Sequence, residues 1–282
     1  MSPRHAAAAP QHFTHHGRRI AYRSYGDGPR TLVLTHGLLM DARMYTALAP
    51  TVAARGHRVI TVDMLGHGAS EQPHEMTAYS MPQFGRDVVA LLDHLGLDEA
   101  VIGGTSLGAN IALEVAVAAP ERVRALAVEM PVLEHGLVAA AAVFVPLALA
   151  IRVSQPGMRL LAAVIRRIPR THFLFDMMID FVRRDPAASL AVLDGITFGR
   201  VAPPVDERAR ITAPTLIIGH EGDAIHPFSD ADMLARELPD ARLVRARSIA
   251  EWRLRPARLD AELCGFLDQV WAAPAQVRRT AT

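Results

Sequence analysis

The 282-residue chain contains no lysine: all 30 of its basic Lys/Arg positions are arginine. Without a side-chain amine it can form no Schiff base with a carbonyl substrate or pyridoxal cofactor, and it cannot complete a phosphate-binding GK[ST] loop. Aldolase-type, pyridoxal-dependent and Walker-type ATPase functions are thereby excluded. The single cysteine, Cys264, allows neither an internal disulfide nor a thiolate zinc site. A reducing, cytosolic setting is the expectation. Excess charge is lacking too: 30 basic residues against 29 acidic leave a net +1, which argues against a polyanion-binding protein and so against a nucleic-acid partner. Met1 to Pro10 holds only a short alanine run, so no export signal is read there. The most apolar stretch, Leu137 to Ile151, is interrupted by Pro146 and falls short of the roughly 18 to 20 residues that cross a bilayer. It is expected to be a buried or site-lining helix, with no membrane span. The tail from Pro274 is polar and alanine-rich and is expected to fray.

What the chain does have is a rhythm. Short Val/Ile/Leu runs, each followed by helically spaced apolar residues, predict a mostly parallel sheet covered by helices, an α/β fold. Thr31 to Leu34 leads to Met44 to Arg55, Arg58 to Val62 to Pro82 to Leu95, and Ala100 to Gly103 to Leu107 to Ala118. After Val123 to Val128 the rhythm stops, resuming at Thr215 to Ile218, then Arg242 to Val244, then a closing helix from Pro256 to Trp271. Within the gap lie the apolar segments Leu137 to Val153, Met158 to Ile168 and His172 to Arg183. They predict a helical cap over residues 131–210, set between core segments 1–130 and 211–282. Gln11 to Arg30, with its Gly26-Asp27-Gly28-Pro29 turn, predicts an antiparallel hairpin at the start.

The strand Ala100 to Gly103 runs into Gly104-Thr105-Ser106-Leu107-Gly108, and the helical pattern begins at once. This is GxSxG in a strand-turn-helix setting, where a serine is presented on a turn so tight that only small residues fit two places either side. The Leu107 amide, first in the helix, points where an oxyanion would develop.

Together with this elbow, His36-Gly37, the run Asp63-Met64-Leu65-Gly66-His67-Gly68-Ala69-Ser70 and Gly219-His220-Glu221-Gly222-Asp223 make the chain resemble the α/β-hydrolase superfamily over nearly its whole length, in the branch of capped esterases, lactonases, carbon–carbon bond hydrolases and cofactor-free haloperoxidases. The resemblance implies an α/β-hydrolase fold with an inserted helical cap, an oxyanion hole from the Leu38 and Leu107 amides, Ser106 as nucleophile, Asp223 orienting the base, and no cofactor or metal. It implies that His36 braces its loop.

In that family the base is a histidine in the loop after the last strand, shortly before a proline. Here the loop reads Arg247-Ser248-Ile249-Ala250-Glu251-Trp252-Arg253-Leu254-Arg255-Pro256, and no histidine follows His226 anywhere. His226, three residues after Asp223, is the foremost replacement; His36, His67 and His135 are the others, and Glu251 is a remote carboxylate substitute. An unpaired Asp223 would be costly in a cleft, so a histidine or arginine is expected to contact it. Glu251 is otherwise expected to pair with Arg253, Arg255 or Arg258 at the surface, with Trp252 packed beneath the loop.

His12, His15 and His16 are expected to be solvated rather than to bind a metal. Arg183 and Arg184 are read as a helix end, and Asp63 as a turn-former. Phe173 and Met177, in a Phe/Met-rich cap segment, are candidate contacts for a small hydrophobic substrate. The expected activity is hydrolysis of an ester, thioester or lactone. The alternatives are a cofactor-free lyase or isomerase using the oxyanion hole, or a binding protein that has lost its chemistry. Dimerisation through the cap or sheet edge stays open.

Overall fold

The computed structural model describes residues 8–169, 176, 179–180 and 182–273. Its strands are β1 (Gln11–His15), β2 (Arg18–Tyr25), β3 (Arg30–Thr35), β4 (His57–Asp63), β5 (Ala100–Thr105), β6 (Val123–Glu129), β7 (Thr215–His220) and β8 (Ala241–Ala246). They form one eight-stranded sheet in the order β1-β2-β4-β3-β5-β6-β7-β8. The β1–β2 and β2–β4 pairs are antiparallel and the rest are parallel. A parallel strand is covered on both faces and so reads as a continuous apolar run. On β3, Val33 faces one core with Ile60 and Ile102. Its neighbours Leu32 and Leu34 face the other core with Val59 and Val101.

The helices are α1 (Leu48–Ala53), α2 (Met81–His94), α3 (Leu107–Ala118), α4 (Gly136–Val153), α5 (Gln155–Ile165), α6 (Pro186–Thr197), α7 (Val205–Arg208), α8 (Phe228–Glu237), α9 (Glu251–Leu254) and α10 (Ala257–Ala272). Leu48, Val52, Leu259 and Leu263 of α1 and α10 cover one sheet face. Phe84, Leu91, Ile111 and Leu234 of α2, α3 and α8 cover the other. The helix expected from Met44 to Arg55 is instead a 3-10 turn at Ala42–Tyr45 followed by α1. Pro50 is tolerated only in a first helical turn, so the helix starts at Leu48. The opening hairpin forms, but its turn is His16-Gly17, both at positive φ (48° and 73°). The Gly26–Pro29 turn links β2 to β3.

Helices α4 to α7 all lie between β6 and β7. The segment expected from Met158 to Ile168 is α5, shifted to Gln155–Ile165, while most of His172 to Arg183 falls outside the described residues. The sequence reading passed over α6, although Asp185 caps it by accepting from the Ala187 amide (3.2 Å) and Pro186 sits in its first turn. Of the two expectations for α4, buried or site-lining, the first fails, since only Gly136 and Ile151 of its 18 residues are buried, while Leu137, Ala141 and Phe144 line a cavity.

Candidate active site

Ser106 sits between β5 and α3 at φ 56°, ψ −110°. This is a strained position for a residue with a side chain, costing about 1–3 kcal/mol and persisting only where the surroundings hold it. They do. The Ser106 amide donates to the Glu129 carbonyl (2.8 Å) on β6. A Cβ on Gly104 would stand 2.6 Å from the Gly108 carbonyl carbon, and one on Gly108 would strike the Thr35 carbonyl, so the crossing tolerates only glycine.

The loop after β3 lies alongside. A Cβ on Gly37 would come 3.8 Å from the Ser106 Cβ. His36 braces this loop: its Nε2 accepts from the Met64 amide (3.0 Å) and its Nδ1 faces the Gly37 carbonyl (2.8 Å). His67 accepts from the Leu39 amide through Nε2 (3.2 Å), with Nδ1 on the Leu65 carbonyl (2.9 Å). Both rings are buried, and desolvation pushes both below the usual imidazole range, so they serve as neutral struts. Asp63 is more than a turn-former: buried, it accepts from the Ala42 amide (2.7 Å), the Ala69 amide (3.0 Å) and Arg23 (3.0 Å). Leu38 and Leu107 both line the cavity above Ser106. As the first residue of α3, Leu107 has no intrahelical acceptor for its amide.

His226 reaches Ser106. Its Nε2 lies 2.8 Å from Ser106 Oγ, and its Nδ1 lies 2.9 Å from Asp223 Oδ2. Acid and imidazole come from one turn of the loop after β7. Asp223 Oδ1 accepts from the amides of Ile225 (2.8 Å) and His226 (3.0 Å), folding the loop so that the ring comes back over the carboxylate's other oxygen. Burial works to raise the Asp223 carboxyl, but hydrogen bonds from the His226 ring and from both amides outweigh it and hold the group at about 2. An ionised carboxylate only accepts, so Nδ1 carries the ring proton and Nε2 is left to accept from the Ser106 hydroxyl. That is the tautomer in which an imidazole can take a serine proton.

The loop after β8, where a histidine was sought, approaches the same elbow with Arg253. Its guanidinium donates to Glu129 (2.7 Å) and to Thr105 Oγ1 (3.3 Å), next to Ser106. Thr105 also donates to Glu129 (2.5 Å), and His220 Nε2 lies 3.0 Å from the other carboxylate oxygen. Tyr45 completes the cluster at 3.0 Å from Thr105 Oγ1. Glu251 is drawn away, pairing with Arg258 (2.8 Å), and Trp252 is buried as expected. Burial alone would raise the Glu129 carboxyl, but the Arg253 charge and hydrogen bonds from His220 and Thr105 bring it to about 2.

A carboxyl whose folded pKa lies below its ordinary 4.5 stabilises the fold above that pH and loses the contribution as pH falls toward 2. Glu129→Gln is therefore expected to cost about 3 to 5 kcal/mol at neutral pH, because it leaves Arg253 buried and unmatched. In urea unfolding the gap from wild type should narrow between pH 4.5 and pH 2. A gap independent of pH would refute this account of the cluster.

His135 is remote from this chemistry: its amide and Nδ1 both engage the buried Asp230 at 3.0 Å. Asp230, which the sequence reading missed, also accepts from the Leu133 (2.7 Å) and Gly136 (2.9 Å) amides, placing negative charge at the start of α4. Arg183 and Arg184 are ties rather than a helix end. Arg183 holds Asp180 (2.8 Å), and Arg184 reaches the carbonyls of Met40 (3.3 Å) and Gly66. His15, expected to be solvated, faces Asp87 at 2.7 Å. Among the described residues no three His, Cys, Asp or Glu groups are placed to hold a metal ion. Phe173 and Met177 lie outside the described residues.

Above Ser106 opens a cavity of about 480 Å³, lined among others by Leu107, Leu137, Phe144, Leu193, Ile196 and Ile225. Two arginines also line it, but each is neutralised: Arg208 by Glu237 (2.7 Å) and Glu134 (3.0 Å), Arg200 by Glu114 (2.6 Å) and Glu207 (2.8 Å). Asn110 projects here too, tying down the Val132 and Val201 carbonyls at 2.8 and 2.9 Å. The space suits an apolar, uncharged ligand.

A family model described as alpha/beta hydrolase fold matches residues 30–248. Among curated relatives, bifunctional epoxide hydrolase 2 of Sus scrofa is 37% identical over 111 residues, 39% of this chain and 20% of that protein. The 3-hydroxybutyrate-oligomer hydrolase of Cupriavidus necator is 34% identical over 100 residues, 35% of this chain and 34% of that one. The chain thus spans about a fifth of the first and a third of the second. Among solved structures, the enol-lactonase of Burkholderia xenovorans LB400 superposes with a TM-score of 0.74 at 24% identity, covering 92% of this chain and all of that one.

Proposed function

The chain belongs to the α/β hydrolase fold family, and on that premise we propose that it is a serine hydrolase acting on an ester, thioester or lactone of a small hydrophobic molecule. The observation that carries this reading is the continuous relay from Ser106 Oγ through His226 (2.8 Å) to Asp223 (2.9 Å). Ser106 Oγ attacks the carbonyl carbon while its proton passes to His226 Nε2. The former carbonyl oxygen, now anionic, is held by the Leu38 and Leu107 amides. The tetrahedral adduct collapses, the leaving oxygen or sulfur takes the proton from the imidazolium, and the acyl group stays on Ser106. Water then attacks, losing a proton to Nε2, and the carboxylic acid leaves as Ser106 recovers its hydrogen. Asp223 keeps the ring in the required tautomer throughout and stays ionised.

The relay favours this over the lyase and binding-protein readings, neither of which needs an imidazole on the serine. The test is a fluorophosphonate probe: stoichiometric labelling is expected at Ser106 and none in Ser106→Ala. An unlabelled wild-type protein would remove the serine-hydrolase reading.

The apolar lining supports an acyl chain as the cavity's occupant. Burying each CH₂ yields about 0.8 kcal/mol, so kcat/KM for nitrophenyl esters is expected to rise roughly tenfold from acetate to butyrate and again to hexanoate. Ala141 lines the cavity. Ala141→Trp should remove most of that gain while sparing acetate; equal losses on both esters would place the acyl chain elsewhere.

A further inference from the structure

Helix α4 is apolar on every side, yet only Gly136 and Ile151 are buried. A helix of that composition is ordinarily buried in a core or surrounded by lipid. By length and composition Gly136–Val153 is long and apolar enough to cross a membrane. One of its sides is nonetheless committed to the protein, because Leu137, Ala140, Ala141, Phe144 and Val145 line the cavity over Ser106. Leu147, Ala148 and Ile151 pack on the core, and the outward face that is left continues onto α5: Val138 and Val153 are 79% exposed, Leu160 68% and Leu149 58%. Exposed apolar area on this scale marks an interaction surface.

The charge around it says which partner. Between Glu134 and Asp176 the chain has no acidic residue at all, but five arginines, at 152, 159, 166, 167 and 170. In a chain whose total charge is +1 this is a strong local polarisation. Arg152 is matched by Asp194 of α6 (2.6 Å), whereas Arg159 and Arg166, among the described residues, bond neutral oxygens of their own segment, those of Gln155 and Ala162. Apolar side chains interleaved with arginines, on two helices that carry no carboxylate of their own, is the chemistry that lies in the headgroup layer of an anionic bilayer. A second copy of the chain would bring the same positive charge against it. The cavity opens on the same surface: Leu137 and Val145 line it and are themselves 40% and 50% exposed.

We propose that α4 and α5 form a docking face for an anionic lipid bilayer, seating the cavity mouth at the membrane surface so that apolar esters enter from the lipid. The docking stands apart from the hydrolase reading; the route of entry rests on it. The test uses the full-length Ser106→Ala protein, so that binding is read whether or not Ser106 turns over esters. The protein is floated with vesicles of phosphatidylcholine and phosphatidylglycerol in a two-to-one ratio, and with phosphatidylcholine alone. Partition is expected onto the mixed vesicles, weakened by salt and by omitting phosphatidylglycerol. Adding Arg159→Glu with Arg167→Glu should lower it by about tenfold or more. Val138→Asp with Leu160→Asp should abolish it, with circular dichroism confirming that each variant is folded. Failure to float with the mixed vesicles would overturn the proposal, as would partition indifferent to phosphatidylglycerol. So would a dimer, dissolved by the two aspartates, that binds no vesicle.

Discussion

Replacing His226 by alanine is expected to lower kcat on a nitrophenyl ester by about ten-thousand-fold or more, with KM little changed. The size follows from what the change leaves behind. The cavity and the two amides would still bind and polarise a carbonyl, but the Ser106 hydroxyl would have no group to take its proton. Among the described residues, the other histidines near the elbow or weighed as bases are committed elsewhere. His36 and His67 have both ring nitrogens engaged with backbone and are buried as neutral rings. His135 is held by Asp230, and His220 Nδ1 faces the Ser248 carbonyl (2.9 Å) while its Nε2 lies against Glu129. Labelling of Ser106 by a fluorophosphonate should slow in parallel, because the probe also requires a deprotonated oxygen. Wild-type rates in both assays would remove His226 from the mechanism.

Much of the architecture was legible because it is written in strong local signals. Strands covered on both faces appear as uninterrupted Val/Ile/Leu runs, and Leu107–Ala118 was located to the residue because the Gly104 and Gly108 constraint fixes where the turn ends and the helix starts. The α6 helix was missed although its start carried Asp185-Pro186, because its apolar residues lie on nearly all sides and give no clear helical stripe. The exposure of α4 could not be read either. An all-round apolar sequence looks the same whether it is sealed in a core or laid on a surface, and only the packing of its neighbours distinguishes the two.

At the site, the elbow and the acid loop were legible, but the source of the imidazole was one option among several. The readable signal was Asp-x-x-His-Pro. An aspartate followed by free amides two and three residues on folds an Asx turn. The proline then restricts the histidine's backbone and starts α8, fixing where the chain goes next. What no local pattern announces is the contact across 120 residues that brings this turn over Ser106. The Glu129, Thr105 and Arg253 cluster was opaque for the same reason: its members come from three separated segments, and Arg253 looked like one of several surface arginines in a charged loop.

That cluster sharpens the last expectation, because it places a second ionised carboxylate close to the elbow. If Asp223 is the group that orients the base, Asp223→Asn should reduce kcat by about ten-thousand-fold while leaving the fold intact. The amide oxygen of the substituted side chain can still accept from the Ile225 and His226 amides, so the turn survives. Its NH₂ group, however, donates where the carboxylate accepted, and it would turn the His226 tautomer around so that Nε2 carries the hydrogen and faces Ser106 as a donor. The serine then loses its base without losing its neighbour, and stability should shift by far less than activity. Glu129→Gln makes the opposite prediction: its carboxylate faces Thr105, Arg253 and His220, so the loss should fall mainly on stability. Measuring kcat and urea unfolding on both variants separates the two carboxylates. A full loss of rate in Glu129→Gln with near-normal rates in Asp223→Asn would transfer the orienting role to the residue on β6.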